Sequence, residues 1–335
     1  MENINENANA KKSGFNPTIF LIVMVIITAV CIVGGCFLRY RMHGWFGGSN
    51  KVVQVAETLN EFREIHLDAD ALEINIEYGD TYAYEYEGIE KLQPKVDVSN
   101  GELTISQSIS HWGFDWDFSS PNCCLTLTIP SDCTPYLDGN INAGNMEFGN
   151  LAFKDINLDM DAGNFEVDHL TASSLILDAD AGNIIIRNAD IEGSLFVDAA
   201  AGNIELFDCN VGGSSDLSAD MGNIELHNCN IGGTNDVKAD LGNVELFNCE
   251  IQGKSDITAN LGNVVLSNTN FDSAQLEVDM GNLEISGDFN EVTAVCSLGE
   301  VSLETETLDG KHISLETDLG RITVNGKDEG TAFNQ

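Results

Sequence analysis

Residues 141–327 alternate between apolar and polar side chains in short runs, and a turn signal follows each run. The dipeptide Gly-Asn marks these turns and recurs at spacings of 19 or 20 residues. The pairs begin at Gly144, Gly163, Gly182, Gly202, Gly222, Gly242, Gly262 and Gly281. Two-residue alternation is typical of a strand with one buried side, and a fixed period indicates stacked repeats. The pattern therefore predicts an all-β fold, a single-stranded parallel β-helix or solenoid of about 20-residue coils.

One coil illustrates which side chains we expect inside. Three short strands each carry two apolar residues separated by one other residue. The pairs are Ala239 and Leu241, Val244 and Leu246, and Cys249 and Ile251. We expect all six side chains to be buried, and glycine to be favoured at the corner because it tolerates positive φ. The asparagine after each glycine is expected to bond to its equivalent one coil away.

The cysteines do not predict a metal site. Nine are present, and no two have CxxC spacing, so neither a zinc site of the usual kind nor a disulfide scaffold is indicated. Cys209, Cys229 and Cys249 lie one coil apart. We interpret them as small apolar residues at a tight inward corner, because side chains in one column cannot converge tetrahedrally on an ion.

The segments on either side of the repeats are less regular. Residues 52–140 contain short alternating runs, which predict a β-rich N-terminal cap and irregular first coils. Residues 328–335 form a polar C-terminal tail. Four aromatic residues cluster between two predicted strands, either as a partner-binding or sugar-binding loop or as a plug over the end of the core. They are Trp112, Phe114, Trp116 and Phe118.

The N-terminus contains an uncharged apolar stretch from Ile19 to Leu38, long enough to cross a bilayer as a helix. We predict a polar cytoplasmic tail at 1–16, a transmembrane helix at 17–39 and a linker at 40–51. The predicted location is the cell membrane, with a single pass and with the bulk of the chain extracellular. A lipoprotein anchor at Cys36 is the alternative.

The chain carries a formal net charge of -39, which disfavours nucleic acid as a partner and favours cations. Acidic residues recur on the outward positions of the coils, and the candidate acidic face consists of Glu205, Glu225, Glu245, Asp220 and Asp240. Three interpretations remain open: a solvated surface, a face for a cationic partner, or sites for Ca²⁺, which prefers oxygen ligands. No other cofactor is predicted.

The layout resembles a bacterial family of domains of unknown function called putative adhesins, or LiaG-like. The motifs that carry the resemblance are Phe62–Leu67, Gly101–Ile105, Cys124–Pro130 and Val324–Lys327, with the Gly-Asn turns between the last two. The resemblance covers residues 52–327. It implies a parallel β-helix in the bacterial cell envelope, often tethered by one transmembrane helix, and it supplies no catalytic residues. Residues 239–248 also resemble pentapeptide repeats, which leaves a three-sided and a four-sided coil open.

Three functions are compatible with these features. The first is a membrane-anchored, surface-exposed and non-catalytic module for adhesion, binding or sensing. The second is an envelope-stress sensor that binds cationic peptides. The third is a carbohydrate-active parallel β-helix enzyme, which would need a converging pair of reactive groups in a cleft. The nearly insertion-free coils and the scattered histidines favour the non-catalytic interpretation.

Overall fold

The alternating runs fold into short strands that wind around a continuous apolar core. The structure is a computed structural model and describes residues 51–109 and 123–335. One 3₁₀ helix, Glu90–Leu92, accompanies the strands. Within the described ranges no helix has the length and apolar character needed to span a bilayer. The helix predicted at 17–39 and the aromatic cluster at Trp112–Phe118 lie outside these ranges.

The strands fall into three groups along the chain. The N-terminal strands are β1 (Val52–Thr58), β2 (Glu64–Ala69), β3 (Glu73–Gly79), β4 (Ala83–Ile89), β5 (Lys95–Ser99), β6 (Glu102–Gln107), β7 (Cys124–Pro130), β8 (Tyr136–Ile141) and β9 (Met146–Ala152). The strands of the regular coils are β10 (Asp155–Met160), β11 (Phe165–Ala172), β12 (Ser174–Ala181), β13 (Ile184–Arg187), β14 (Asp190–Ile191), β15 (Leu195–Ala201), β16 (Ile204–Phe207), β17 (Asn210–Val211), β18 (Ser215–Met221), β19 (Ile224–His227), β20 (Asn230–Ile231), β21 (Asn235–Leu241) and β22 (Val244–Phe247). The C-terminal strands are β23 (Glu250–Leu261), β24 (Val264–Ser267), β25 (Asn270–Met280), β26 (Leu283–Ser286), β27 (Phe289–Glu304), β28 (His312–Val324), β29 (Lys327–Gly330) and β30 (Ala332–Asn334).

Successive coils stack in parallel and in register. In β16, β19 and β22 the partners are Ile204, Ile224 and Val244, and all three side chains are fully buried. The amide of Ile224 donates to the carbonyl of Asn243 in the next coil at 2.9 Å. Each coil of the middle region contributes three strands, such as β18, β19 and β20. The predicted all-β parallel solenoid of about 20-residue coils is therefore confirmed, with three strands per coil.

The first coils do not follow the order of the chain. Strand β2 lies between β6 and β8, and β3 lies between β7 and β9. The chain thus forms one coil with β2 and β3. It then adds β6 and β7 on the side of this coil that faces the N-terminal end of the stack, and continues with β8 and β9 on the opposite side, towards the regular coils. Because the three segments carry the same buried alternation, each fits against either neighbour.

Antiparallel strands cover both ends of the stack. At the N-terminal end, β5 pairs with β6, β4 pairs with β7, and β1 pairs with β4. At the C-terminal end, β29 and β30 pair with two parts of β28, so the polar stretch after residue 327 supplies two strands. Covering the last parallel strands this way limits pairing with other chains at open edges.

Glycine is required at the Gly-Asn corner for the reason expected and for a second one. Gly144, Gly163 and Gly182 have φ near +150°, a conformation that glycine tolerates. Gly222 is not among the glycines with positive φ. A Cβ atom added to Gly222 would instead lie 1.7 Å from the carbonyl oxygen of Gly202 in the preceding coil. The close approach of stacked backbones excludes every larger residue at this position.

Two ladders of side-chain hydrogen bonds run along the corners. In the predicted ladder, the backbone amide of Asn243 donates to Oδ1 of Asn223 at 2.9 Å, and Asn263 donates to Asn243 likewise. The second ladder was not predicted. It joins residues with φ near +55°, where Nδ2 of Asn228 donates to Oδ1 of Asp208 at 2.9 Å. Asparagine and aspartate tolerate this left-handed conformation better than other side chains do.

The expected burial of Leu241 is wrong. Ala239 is buried, but Leu241 keeps 45% of its surface exposed. The inward and outward alternation of β21 ends at Ala239, because the chain turns the corner before Gly242. The last apolar residue of the strand is therefore turned to the outside.

Replacing Gly222 by alanine is expected to destabilise the fold by at least about 3 kcal/mol, since the added Cβ overlaps a fixed backbone oxygen. Gly149→Ala is the matched control, because nothing lies within 4 Å of a Cβ added there. Urea denaturation followed by circular dichroism measures both. Equal midpoints for the two variants would contradict the close-stacking explanation.

Asn243→Ala removes the acceptor for the backbone amide of Asn263, so we expect a loss of about 1–2 kcal/mol in the free energy of unfolding. Asn243→Asp keeps an acceptor oxygen at the same place and should lose less. The same denaturation experiment compares the two variants. A loss in Asn243→Asp as large as in Asn243→Ala would show that the ladder bond is not the cause.

Candidate functional site

Six large apolar side chains form an exposed column, here called the apolar ladder. Each precedes the corner glycine of its coil, and each lies opposite its equivalent in the next coil. The six are Met221, Leu241, Leu261, Met280, Leu298 and Leu319, with 40% to 71% of each residue exposed. Neighbouring parallel strands are about 4.8 Å apart, so the apolar ladder is about 24 Å long. Ala201 occupies the same column one coil before Met221.

Polar and acidic groups border the apolar ladder on both sides. The residue before each of its members is Asp220, Asp240, Asn260, Asp279, Ser297 or Asp318. Asp240 pairs with Lys238 at 2.9 Å and accepts from Nδ2 of Asn260 at 2.9 Å, so this carboxylate is partly neutralised. Asp220 is exposed. The other border is the Gly-Asn corner with its asparagine ladder. The predicted residues Asp220 and Asp240 thus flank the apolar ladder, of which Leu241 was expected to be buried.

The predicted residues Glu205, Glu225 and Glu245 form an in-register row on β16, β19 and β22. Partial burial and the neighbouring Glu225 carboxylate raise the pKa of Glu205 and that of Glu245. Nε2 of His227 lies 3.8 Å from a Glu225 oxygen. The row is therefore a set of mutually repelling carboxylates with limited neutralisation.

Stacked rings run beside the glutamate row and were not predicted. The ring centroids of Phe207 and His227 are 5.0 Å apart, and those of His227 and Phe247 are 4.9 Å apart. The Arg187 guanidinium lies 5.7 Å from the Phe207 centroid. Both faces of the His227 ring are therefore covered by phenylalanine rings. The 20-residue spacing of positions 207, 227 and 247 was the available signal.

A further acidic row lies on the neighbouring sheet, where Asp159, Asp178 and Asp198 are partners in register. Partial burial, followed by the charges of Asp198 and Asp180, raises the pKa of Asp178. The acidic face predicted from the sequence is thus one of several carboxylate rows on this chain.

The cysteine column has a structural place in the core. Cys209, Cys229 and Cys249 are buried, and each thiol lies near the carbonyl of the residue two positions before it. Thr269 continues the column, and its hydroxyl donates to the Ser267 carbonyl at 3.3 Å. Contacts with the Cys209 and Cys249 thiols, together with burial, raise the pKa of Cys229. A small side chain with a weak donor suits this corner.

Metal-ligand geometry occurs elsewhere on the chain. Among the described residues, Glu64, His66 and Glu102 offer ligand atoms that all lie within 4.8 Å of one another. None of the five predicted acidic residues belongs to such a group within the described ranges.

The fold and these surfaces define a parallel β-solenoid whose exterior is organised in continuous columns. Residues 62–250 match the family model described as toastrack DUF4097. The match covers more than half of the chain, and the chain belongs to the toastrack DUF4097 family. The family relationship expected from the sequence motifs is confirmed.

The chain also matches solved structures at low sequence identity. A putative adhesin from Bacteroides fragilis is 16% identical, with 82% of this chain and 98% of that chain covered and a TM-score of 0.36. A putative lipid binding protein from Parabacteroides distasonis is 15% identical, with 84% and 96% covered and a TM-score of 0.41. A putative adhesin from the same species is 14% identical, with 83% and 97% covered and a TM-score of 0.39. No curated protein matches the chain.

Glu225→Gln is expected to raise the free energy of unfolding at pH 7 by up to about 1 kcal/mol at low ionic strength, because it removes the charge between Glu205 and Glu245. The pKa values of Glu205 and Glu245 are raised in the folded state. The protonated forms of these two carboxyls therefore stabilise the fold at low pH, and this stabilisation is lost as the pH rises through the folded-state pKa. The variant and the wild type should therefore converge below about pH 4.

The matched control is Glu284→Gln, since Glu284 lies in the same column between Val265 and Ser302 and has no neighbouring carboxylate in register. Denaturation at several pH values measures both variants. A gain in Glu284→Gln equal to that in Glu225→Gln would rule out repulsion within the row.

Proposed function

We propose that this protein is a membrane-anchored, surface-exposed and non-catalytic binding module of the bacterial cell envelope, which engages a cationic amphipathic partner along the apolar ladder. The apolar segment at 17–39 would anchor it to the membrane, and the acidic solenoid would face outward. The observation that carries the proposal is the apolar ladder itself, six exposed Met and Leu side chains in consecutive coils.

The apolar ladder is unusual for a surface. Single exposed apolar residues are normal, but contiguous apolar patches on soluble domains mark interaction sites. Stacking of each member on its neighbours accounts for its partial burial. The exposed part of each side chain keeps apolar surface in contact with water, which costs about 25 cal/mol of free energy for each Å². A partner that covers this area gains that free energy.

Charge decides which partner fits. The chain carries a formal net charge of -39, and Asp220, Asp279 and Asp318 directly precede members of the apolar ladder. An anionic membrane surface or a nucleic acid would be repelled. A cationic segment with one apolar face satisfies both features, since its apolar residues contact Met and Leu while its lysines face the aspartates.

Length and spacing agree with a helical partner. The apolar ladder of about 24 Å matches a helix of about 16 residues at 1.5 Å per residue. Apolar residues on one face of a helix recur about every 5.4 Å, close to the spacing of about 4.8 Å between coils. Docking of an amphipathic helix through its apolar face is one of the recurring modes of peptide recognition.

The test uses the segment 51–335, which contains every described strand, and a synthetic 16-residue peptide of leucine and lysine with one apolar face. The double variant Leu241→Ser/Leu261→Ser should bind the peptide at least tenfold more weakly than the wild type in a fluorescence titration. The double variant Ile176→Ser/Phe196→Ser is the control, because these residues are similarly exposed but lie outside the apolar ladder. Salt should weaken binding, since charge pairs contribute.

Equal peptide affinity in the wild type and the ladder variant would contradict the proposal. If the ladder variant instead loses self-association in sedimentation, the apolar ladder is an interface between copies of the chain. Turnover of a cell-wall glycan by the purified protein would overturn the non-catalytic assignment.

A further inference from the structure

The N-terminal coils bring together four polar side chains that the repeat does not explain. Strand β2 contributes Glu64 and His66, β6 contributes Glu102 and β8 contributes Asp138. Glu64 lies opposite Glu102, and His66 lies opposite Asp138. All four are on the outer side of the sheet and at least partly exposed. The out-of-order packing of β6 against β2 is what creates the group.

Both nitrogens of the imidazole ring face carboxylates. Nε2 of His66 lies 3.6 Å from Oε1 of Glu102, and Nδ1 lies 3.4 Å from Oδ2 of Asp138. A histidine that binds a metal through one nitrogen almost always donates its other N–H to a carboxylate, a carbonyl or water. Nδ1 of His66 faces the Asp138 carboxylate in this manner, and Nε2 is directed towards Glu102.

The distances fit a transition-metal ion. Metal–nitrogen and metal–oxygen bonds to zinc are about 2.0–2.2 Å long, so tetrahedral ligand atoms lie about 3.4 Å apart. The separation of 3.6 Å between His66 and Glu102 is close to this value. The ligand atoms of Glu64, His66 and Glu102 all lie within 4.8 Å of one another. Small rotations of exposed side chains therefore complete the coordination.

The charges also favour a cation. Glu64 and Glu102 are neighbours on parallel strands, and among the described residues no lysine or arginine forms an ion pair with either of them. Their mutual repulsion is relieved when a divalent ion binds between them. The mixture of one nitrogen and two oxygen ligands suits Zn²⁺ better than Ca²⁺, which takes oxygen ligands alone.

We propose that Glu64, His66 and Glu102 form a Zn²⁺ site, with Asp138 as the positioning residue that orients the His66 ring. Three protein ligands leave a fourth coordination position open towards solvent, where water binds. The site is independent of the apolar ladder and of the function proposed for it. It ties β2 to β6, the two strands whose order in space is reversed.

The test is isothermal titration calorimetry of the full chain in detergent with ZnCl₂, in a buffer that does not bind metal. The wild type should show one saturable site that His66→Gln weakens at least tenfold. Asp138→Asn should weaken it by about tenfold to a hundredfold while keeping one-to-one stoichiometry, as expected for a residue that acts through the ligand. Excess Ca²⁺ should not displace Zn²⁺.

His227→Gln is the matched control, because His227 is also partly exposed and lies 3.8 Å from a glutamate, Glu225. Among the residues that the structure describes, no second carboxylate forms an ion pair with the His227 ring. It should leave Zn²⁺ affinity unchanged. A Co²⁺ spectrum that lacks a thiolate charge-transfer band excludes the cysteines as ligands. Wild-type affinity in His66→Gln, or only weak binding without saturation, would overturn the proposal, since the residues involved are exposed and their replacement leaves the core intact.

Discussion

Close stacking of backbone on backbone at the Gly-Asn corner determines the rest of this structure. At Gly222 no side chain atom fits beneath the coil before it, and the amide of the next asparagine is bound by the asparagine of that coil. Each coil must therefore begin its strands at the same angular position as its neighbour. Register is then kept from coil to coil along each strand, apart from the shift between Ile251 and Lys254, and the paired positions of the repeat become columns.

Columns have opposite consequences inside and outside the solenoid. Inside, equivalent apolar positions such as Ile204, Ile224 and Val244 lie in register and are fully buried. Outside, the same register places carboxylates of Glu205, Glu225 and Glu245 next to each other, where they repel. Asparagine ladders and stacked rings offset part of this cost because their interactions are attractive at the same spacing. The apolar ladder has no such role, because its exposed side chains do not offset the repulsion between carboxylates.

The period, the buried columns and the asparagine ladder could be predicted because they depend on residues 20 positions apart with a fixed pattern. The exposure of Leu241 could not be predicted, since alternation does not reveal where a strand ends and a corner begins. The second ladder at Asn228 requires a left-handed backbone, which composition indicates only weakly.

The group around His66 depends on contacts that the order of the chain conceals. Glu102 lies next to β2 only because β6 pairs with one edge of β2, while β8 pairs with the other edge and brings Asp138. Sequential stacking would have placed β6 and β8 next to each other. Topology rather than periodicity produces this site, so a repeat-based analysis of the sequence misses it.

The central functional claim is that the apolar ladder, and not the glutamate row, is the contact surface. Photo-crosslinking tests it most directly, with a 16-residue cationic amphipathic peptide that carries a diazirine on its apolar face. The account predicts crosslinks at Met221, Leu241, Leu261 and Met280. Crosslinks concentrated at Phe207, His227 and Phe247, or spread evenly over the coils, would contradict it.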